Sequence, residues 1–485
     1  MRTLVVTVWA LIAAACSGTP ALRTESAQPP ALTVTPSTFT ARDGTKVEAE
    51  LGKFQVPENR KNPASRKITI AFVRFPSTSA HPGNPIVYLA GGPGGSGVGT
   101  AQGARFSLFM KLREVADVIA LDQRGTNLSN DLPACHPANA PTPDQPAIRA
   151  NIVSYYRTGI AGCFDWWKKQ GFDIDGYTTV QSADDIEDLR RALGVAKVNL
   201  WGISYGSHLG LAMMKYHSGS IGRAVLAGIE GLDETVKMPA DTDAYFARLQ
   251  AVIDSEPKAK AAYPDLAALM RRVHAKLNAT PVHGTFTPKG ADKPVTVTFD
   301  GFAVQLITSG SNADPSAIAR LPQLYLALDN GINGPTAQIL YDQFLASPPV
   351  FYGMPEAMDL ASGVSPPRLA EIERQAKTGV LGDALNFPMP QVADIRPGID
   401  LGESFRAPFS SPVPTLFISG TLDGRTSPYA AKVIAARFSK GQRLIVENGG
   451  HNIYEADPRI ADAVLAWFRG QPVAATVHFD PPVIR

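Results

Sequence analysis

Cysteine and histidine are scarce, with three and eight in 485 residues, and the 46 lysines and arginines almost balance the 44 aspartates and glutamates. No run of five or more like charges occurs. A formal net charge of +2 gives no field strong enough to gather nucleic acid or an acidic membrane surface, so neither is expected as a partner. Beyond the N-terminal segment no stretch is apolar enough to span a bilayer, and no internal repeat is found. At 44% hydrophobic and 19% charged residues, disorder is excluded for the bulk of the chain and a large core is affordable. No metal or cofactor is expected.

What is present begins with MRTLVVTVWALIAAACSG, one arginine followed by a short apolar stretch and small residues ending at Cys16. Residues 1–15 therefore read as an export signal. Small residues before Cys16 resemble a bacterial lipoprotein signal, in which that cysteine takes lipid and becomes the new N-terminus, although Ala13 stands where leucine is usual. Simple cleavage and secretion is the alternative. The expected location is outside the cytoplasm, lipid-anchored to a bacterial membrane and facing the periplasm or exterior, or secreted. An oxidising compartment favours disulfides. With Cys16 lipidated, Cys135 and Cys163 remain as one pair; two separate buried thiols are the alternative.

Residues 16–36, rich in proline, serine, threonine and alanine, read as a tether. Strand signals follow in KITIAFVRF, PIVYLAG and ADVIALD, and the continuous apolar runs among them suit a parallel sheet covered on both faces. SADDIEDLRRALG reads as a helix capped by Ser182, with Asp185 three residues on and a stop at Gly194. The strand KVNLWGI, a helix from about Tyr205 and the strand GRAVLAG extend the alternation, which points to an α/β fold with a mainly parallel sheet. It lapses after Val236 and resumes at VPTLFISG, QRLIVENGG and the helix PRIADAVLAWF. A core over 37–236 and 407–485 is expected, interrupted over 237–406 by a mostly helical cap with a hairpin in GTFTPKGADKPVTVTF.

The one G-x-S-x-G, GISYG from Gly202 to Gly206, ends an apolar strand and opens a helix. Glycines at both ends permit a strained turn that exposes a hydroxyl, so Ser204 is the candidate nucleophile. It needs a base. His451, after the strand QRLIVENGG, stands at the carboxyl edge of the sheet, where α/β enzymes build their sites. His208 reads as a packing residue, while His81, His136, His217, His274 and His283 fall in loops or the insertion, and His478 lies near the C-terminus. Asp423, just past VPTLFISG, completes the order Ser, acid, His. Glu230, in LAGIEGLD, is its rival and otherwise a pocket residue. LAGGPGGSG (Leu89–Gly97) can bring backbone N–H groups beside the elbow without side chains in the way, and Gly92 and Tyr205 are the expected oxyanion donors. Asp122 and Arg124, in DQRGTNLS, read as a charged brace beneath that loop.

From FQVPENR to GGHNIY the chain resembles an α/β-hydrolase of the prolyl/tripeptidyl aminopeptidase family, the S33 serine peptidases. AGGPGG matches the family's glycine-proline loop and DQRGTNLS its D-x-R-G-x-G-x-S element. Ala90 replaces a histidine and Asn127 a glycine, departures that suit the tripeptidyl branch, as do YTTVQSADDIEDLRRALG and an upstream cysteine pair. The resemblance implies release of proline or a short peptide from the free N-terminus of peptides, through an acyl-enzyme on Ser204. A secreted esterase or other small-substrate hydrolase on the same machinery is the alternative. The ammonium group of a peptide substrate calls for an acid facing the pocket, and Glu230 is the candidate, against a salt bridge holding the cap to the core. Oligomeric state is left open.

Overall fold

A computed structural model describes residues 28–129, 132–142 and 144–484; the export signal and Cys16 lie outside the described residues. Its strands are β1 (Leu32–Thr40), β2 (Lys46–Pro57), β3 (Lys67–Phe75), β4 (Ile86–Leu89), β5 (Val118–Asp122), β6 (Val198–Ile203), β7 (Ile221–Ala227), β8 (Val282–Phe286), β9 (Val295–Phe299), β10 (Thr415–Gly420), β11 (Gly441–Glu447) and β12 (Thr476–His478). Ten of them form one sheet in the order β1-β2-β3-β5-β4-β6-β7-β10-β11-β12, and β8 and β9 pair apart from it. From β5 to β12 each neighbouring pair is parallel. β1, β2 and β3 extend the β5 edge antiparallel.

The central strands β4, β5, β6 and β10 are buried at every residue, because helices cover both faces. Successive residues point to opposite sides: Phe417 joins a cluster with Leu121, Ile186 and Leu209, and Ile418 joins another with Phe109, Trp201 and Trp467. This is why those segments are continuously apolar rather than alternating.

Two local expectations shift. β1 begins at Leu32, inside the segment read as a tether, since the same threonine and valine content suits an edge strand and Phe39 stacks edge-on against Phe75, with ring centroids 4.9 Å apart. The helix expected to start at Ser182 runs Thr179–Ala192, capped by Thr178, whose hydroxyl accepts from the Gln181 N–H. Thr178 offers the cap one turn earlier, and Ser182 is buried inside the helix.

β7 and β10 are neighbours, with Ala224 opposite Thr415, yet the chain between them holds a series of helices from Pro239–Ser255 to Gly402–Arg406 and the β8–β9 hairpin. This insertion has its own buried cluster, including Tyr245, Leu249, Met270, Phe299 and Tyr325. The buried members from outside 237–406 are Ala147 and Leu422. Cys135 and Cys163 are joined in a disulfide, with Cα atoms 5.8 Å apart, which ties the loop after β5 to the helix Arg149–Lys169. Among the described residues no helix is long and apolar enough to cross a membrane.

Candidate active site

Ser204 stands between β6 and the helix Tyr205–Tyr216 at φ 56° and ψ −128°, a backbone conformation that costs a non-glycine residue about 1–3 kcal/mol. The flanking glycines make the turn possible. A Cβ on Gly206 would lie 2.0 Å from the Leu89 carbonyl oxygen, and one on Gly202 would lie 2.6 Å from that of Gly206. The Ser204 N–H donates to the Ala227 carbonyl at 3.0 Å, and the Ser207 hydroxyl donates to the Ser204 carbonyl at 2.6 Å. The elbow is thereby seated on the ends of β4 and β7.

The glycine-rich loop lies directly beside it. A Cβ on Gly91 would approach Ser204 Cβ to 3.1 Å and its Oγ to 3.7 Å, so only glycine brings the loop this close. Gly92 takes φ +121°, and Tyr205, first residue of its helix, has an N–H without an intrahelical acceptor. Asp122 fastens the loop from below: it accepts from Ser96 Oγ at 2.6 Å and Val98 N at 3.1 Å, and from Asn127 Nδ2 at 2.8 Å and Leu128 N at 3.1 Å. Burial pushes its carboxyl up against those four donors. Arg124 faces elsewhere. It is fully buried, forks onto both oxygens of Asp185 at 2.7 Å and donates to the Glu58 and Gly176 carbonyls. The brace expected of the pair is thus divided, with Arg124 pinning the helix Thr179–Ala192 instead.

Asp423 and His451 meet. Nδ1 of the imidazole lies 2.9 Å from Asp423 Oδ2, which also accepts from Thr426 Oγ1 at 2.6 Å. Oδ1 accepts from the Arg425 and Thr426 N–H groups at 2.7 and 2.9 Å. Burial alone would raise the Asp423 carboxyl, but His451 and these donors together hold it below its ordinary value. The ring packs over Gly228, where a Cβ would stand 2.9 Å from Cε1. Gly228 adjoins the residue whose carbonyl holds Ser204, so serine and imidazole flank the end of β7. Among the described residues, Ser204 Oγ makes no hydrogen bond to the ring.

Glu230 is held by Lys237 in an ion pair; burial alone would raise its carboxyl, but Lys237 and His208 together hold it below its ordinary value. His208 is fully buried between the Gly231 carbonyl and Ser362 Oγ, at 3.0 and 3.1 Å, and burial lowers its basicity. The helix Met354–Ser362 of the insertion packs over the loop and elbow: Pro355 Cγ would be 2.6 Å from a Cβ on Gly94, and Met358 Sδ takes the Tyr205 hydroxyl at 2.9 Å. That helix carries Asp359, which sequence reasoning passed over. Burial and the Glu230 charge push its carboxyl up to about 8. The available signal was an acidic i, i+3 pair, Glu356 and Asp359, in MPEAMDLAS. Among the described residues no group of three or more histidine, cysteine, aspartate or glutamate side chains is placed to hold a metal.

A strained serine between strand and helix, a glycine loop beside it and an Asp–His pair past later strands define an α/β hydrolase, and the chain belongs to that fold family, whose model matches residues 84–458. Among curated proteins it is similar to the serine protease Hip1 of Mycobacterium tuberculosis, 32% identical over 173 residues, 33% of this chain and 32% of that protein. It is also similar to the tripeptidyl aminopeptidase of Streptomyces coelicolor, 27% identical over 172 residues, 33% of this chain and 31% of that protein. The match therefore spans about a third of the length of each relative. A solved epoxide hydrolase from an endophytic Streptomyces aligns over 92% of this chain and 99% of its own at 15% identity and a TM-score of 0.38; no function is taken from a likeness at that level.

Proposed function

We propose that the protein is a serine hydrolase that removes short peptides from the free N-terminus of peptide substrates. The observation that carries this reading is the Asp423–His451 contact at 2.9 Å on the same strand edge as the positive-φ Ser204. Ser204 Oγ attacks the substrate carbonyl while His451 Nε2 takes its proton; Asp423 fixes the ring by its bond to Nδ1 and stabilises the imidazolium. The Gly92 and Tyr205 N–H groups receive the oxyanion, each such donor contributing about 3–4 kcal/mol. The imidazolium returns its proton to the leaving amine, and water then releases the acyl group from Ser204 by the reverse sequence.

Peptide specificity is supported by the names of the two relatives and by the acids beside the elbow. With Glu230 already paired to Lys237, the ammonium group of a substrate is received between Glu230 and Asp359, and its charge draws Asp359 into its ionised form. The export signal read in residues 1–15, with Cys16 as its lipidation site, and the Cys135–Cys163 disulfide support a place of work outside the cytoplasm.

The test is hydrolysis of tripeptidyl anilides with and without N-acetylation, alongside short acyl esters, by wild type and Ser204→Ala. Free-amine anilides should be cleaved at least about tenfold faster than acetylated ones, since acetylation removes the charge-assisted hydrogen bonds of the ammonium group to the two acids, each worth about 1.5–3 kcal/mol. Ser204→Ala should cleave nothing and escape fluorophosphonate labelling. Equal rates with and without acetylation, or turnover of esters alone, would make the protein an esterase; turnover by Ser204→Ala would remove the nucleophile.

A further inference from the structure

Asp423 and His451 sit on separate loops, after β10 and β11, and a turn of the insertion reaches both. In the turn between the helix Gly301–Ser311 and the helix Pro315–Ile318, the Asn312 carbonyl accepts from Gly424 N at 3.0 Å and the Ala313 carbonyl accepts from His451 N at 2.7 Å. The Asp314 carboxylate then takes Asn452 at two points, the backbone N–H on Oδ1 at 3.0 Å and the side-chain Nδ2 on Oδ2 at 2.5 Å. Both loops are shaped to this turn. A Cβ on Gly424 would come 2.5 Å from the Asn312 oxygen, and one on Gly450 would come 2.7 Å from Asp314 Oδ1.

Further contacts bind the acid loop to the same region. Arg248 Nε donates to the Thr421 carbonyl at 2.7 Å, Arg425 Nη1 donates to the Ser309 carbonyl at 3.2 Å, and Leu422 is buried in the insertion's cluster. On the other side of the base loop, Arg105 Nη2 reaches Asn452 Oδ1 at 3.1 Å. Asn452 is therefore clamped between core and insertion, one residue from the imidazole.

We propose that Asp314 is a positioning residue for His451, and that the turn Asn312–Asp314 sets the acid and base loops in register. The inference rests on the reading of His451 as the base. Of the three turn residues only Asp314 acts through its side chain, so it can be removed while both carbonyl contacts remain. A misplacement of about 1 Å at a reacting group costs on the order of 10²-fold in rate, and the imidazole must serve Asp423 and Ser204 together. Substrate affinity does not depend on that register.

The experiment compares wild type, Asp314→Ala and Asp314→Asn in kcat and KM on a free-amine peptidyl anilide and in the second-order rate of fluorophosphonate labelling of Ser204, with melting curves for each. Asp314→Ala should lose about 10–100-fold in kcat, keep KM within about twofold, and slow labelling in step. Asp314→Asn retains an oxygen for the Asn452 N–H and should recover part of that loss, a rescue that general destabilisation would not produce. Wild-type kcat and labelling rate in Asp314→Ala, or a raised KM at unchanged kcat, overturns the proposal. If Asp314→Ala does not fold, Asp314→Asn decides: a lowered kcat at unchanged KM supports the role and wild-type kcat overturns it. A wild type that itself resists labelling overturns the hydrolase reading and this role with it, whereas a labelled wild type beside an unaffected Asp314→Ala overturns this role alone.

Discussion

Ser204 is seated by Leu89, Gly91 and Ala227, all from the core, whereas Asp423 and His451 are gripped by Arg248, Ser309, Asn312, Ala313 and, through Asn452, Asp314, all from the insertion. The two halves of the site therefore depend on different parts of the chain. The elbow is a matter of backbone clearance, fixed once the parallel sheet forms and glycine is present at 202 and 206. The acid and base loops leave the sheet on β10 and β11 and gain their final register from a segment more than a hundred residues earlier in sequence. In a protein built this way, damage to the turn Asn312–Asp314 should reach kcat through the imidazole and leave the serine in place.

The largest effect expected within the acid–base half is Asp423→Asn. An amide in place of the carboxylate presents the wrong partner to Nδ1 and destabilises the imidazolium, so kcat should fall by about 10³–10⁴. Glu230→Gln breaks the pair with Lys237 but touches neither ring nitrogen, and should cost at most about tenfold in kcat by the same logic. Steady-state rates for both variants check the ranking, and the reverse order would move the orienting role to Glu230.

A matched pair of substitutions sharpens the contrast at the next level. Gly206→Ala drives a Cβ to 2.0 Å from the Leu89 oxygen, a backbone atom in the sheet that cannot retreat, and should destabilise the fold by about 3 kcal/mol or more. Gly424→Ala places its Cβ 2.5 Å from the Asn312 oxygen, in the turn between two helices of the insertion and outside the sheet, and should act chiefly on kcat by displacing the acid loop. Thermal melts run beside steady-state kinetics would show the two profiles; similar melting losses in both variants would erase the distinction between the halves.

How far each half was legible in sequence follows the same division. β4, β5, β6, β7 and β10 announced themselves as apolar runs because both faces of each are covered, β11 by the shorter run Leu444–Val446, and Ser204, Asp423 and His451 stood out by following such runs. The strands β1 and β12 were illegible for the opposite reason, since edge strands are half-solvated and rich in the residues of a tether. The grip of the insertion left little trace because most of it is made by the carbonyls of Asn312, Ala313 and Ser309, which any residue type supplies. Arg124 was read with its neighbour Asp122, but its partner Asp185 is 61 residues away, and pairing at that range is a property of the packed helix.

The smallest effect expected concerns two carboxyls on opposite sides of the division, which titrate in opposite senses. Asp423, lowered by His451 and its donors against the effect of burial, is favoured in the folded state as the anion; its stabilising contribution is present above the ordinary carboxylate range and is lost as pH falls through its folded value. Asp359, on the helix over the elbow, is raised from 3.8 to about 8 by burial and by Glu230, against the opposing pull of Lys237. Between those values the folded chain keeps a proton that the unfolded chain releases, so stability declines as pH climbs through that window. Asp359→Asn replaces the neutral carboxyl with a neutral amide and removes the decline. The variant and wild type should melt together at pH 5, and at pH 9 the variant should melt higher by about 1–2 °C, the shift expected of a modest stabilisation in a chain this long. A constant difference across that range, or a variant that melts lower at pH 9, would show that Asp359 is ionised beside Glu230 and that the elbow side carries two negative charges at neutral pH.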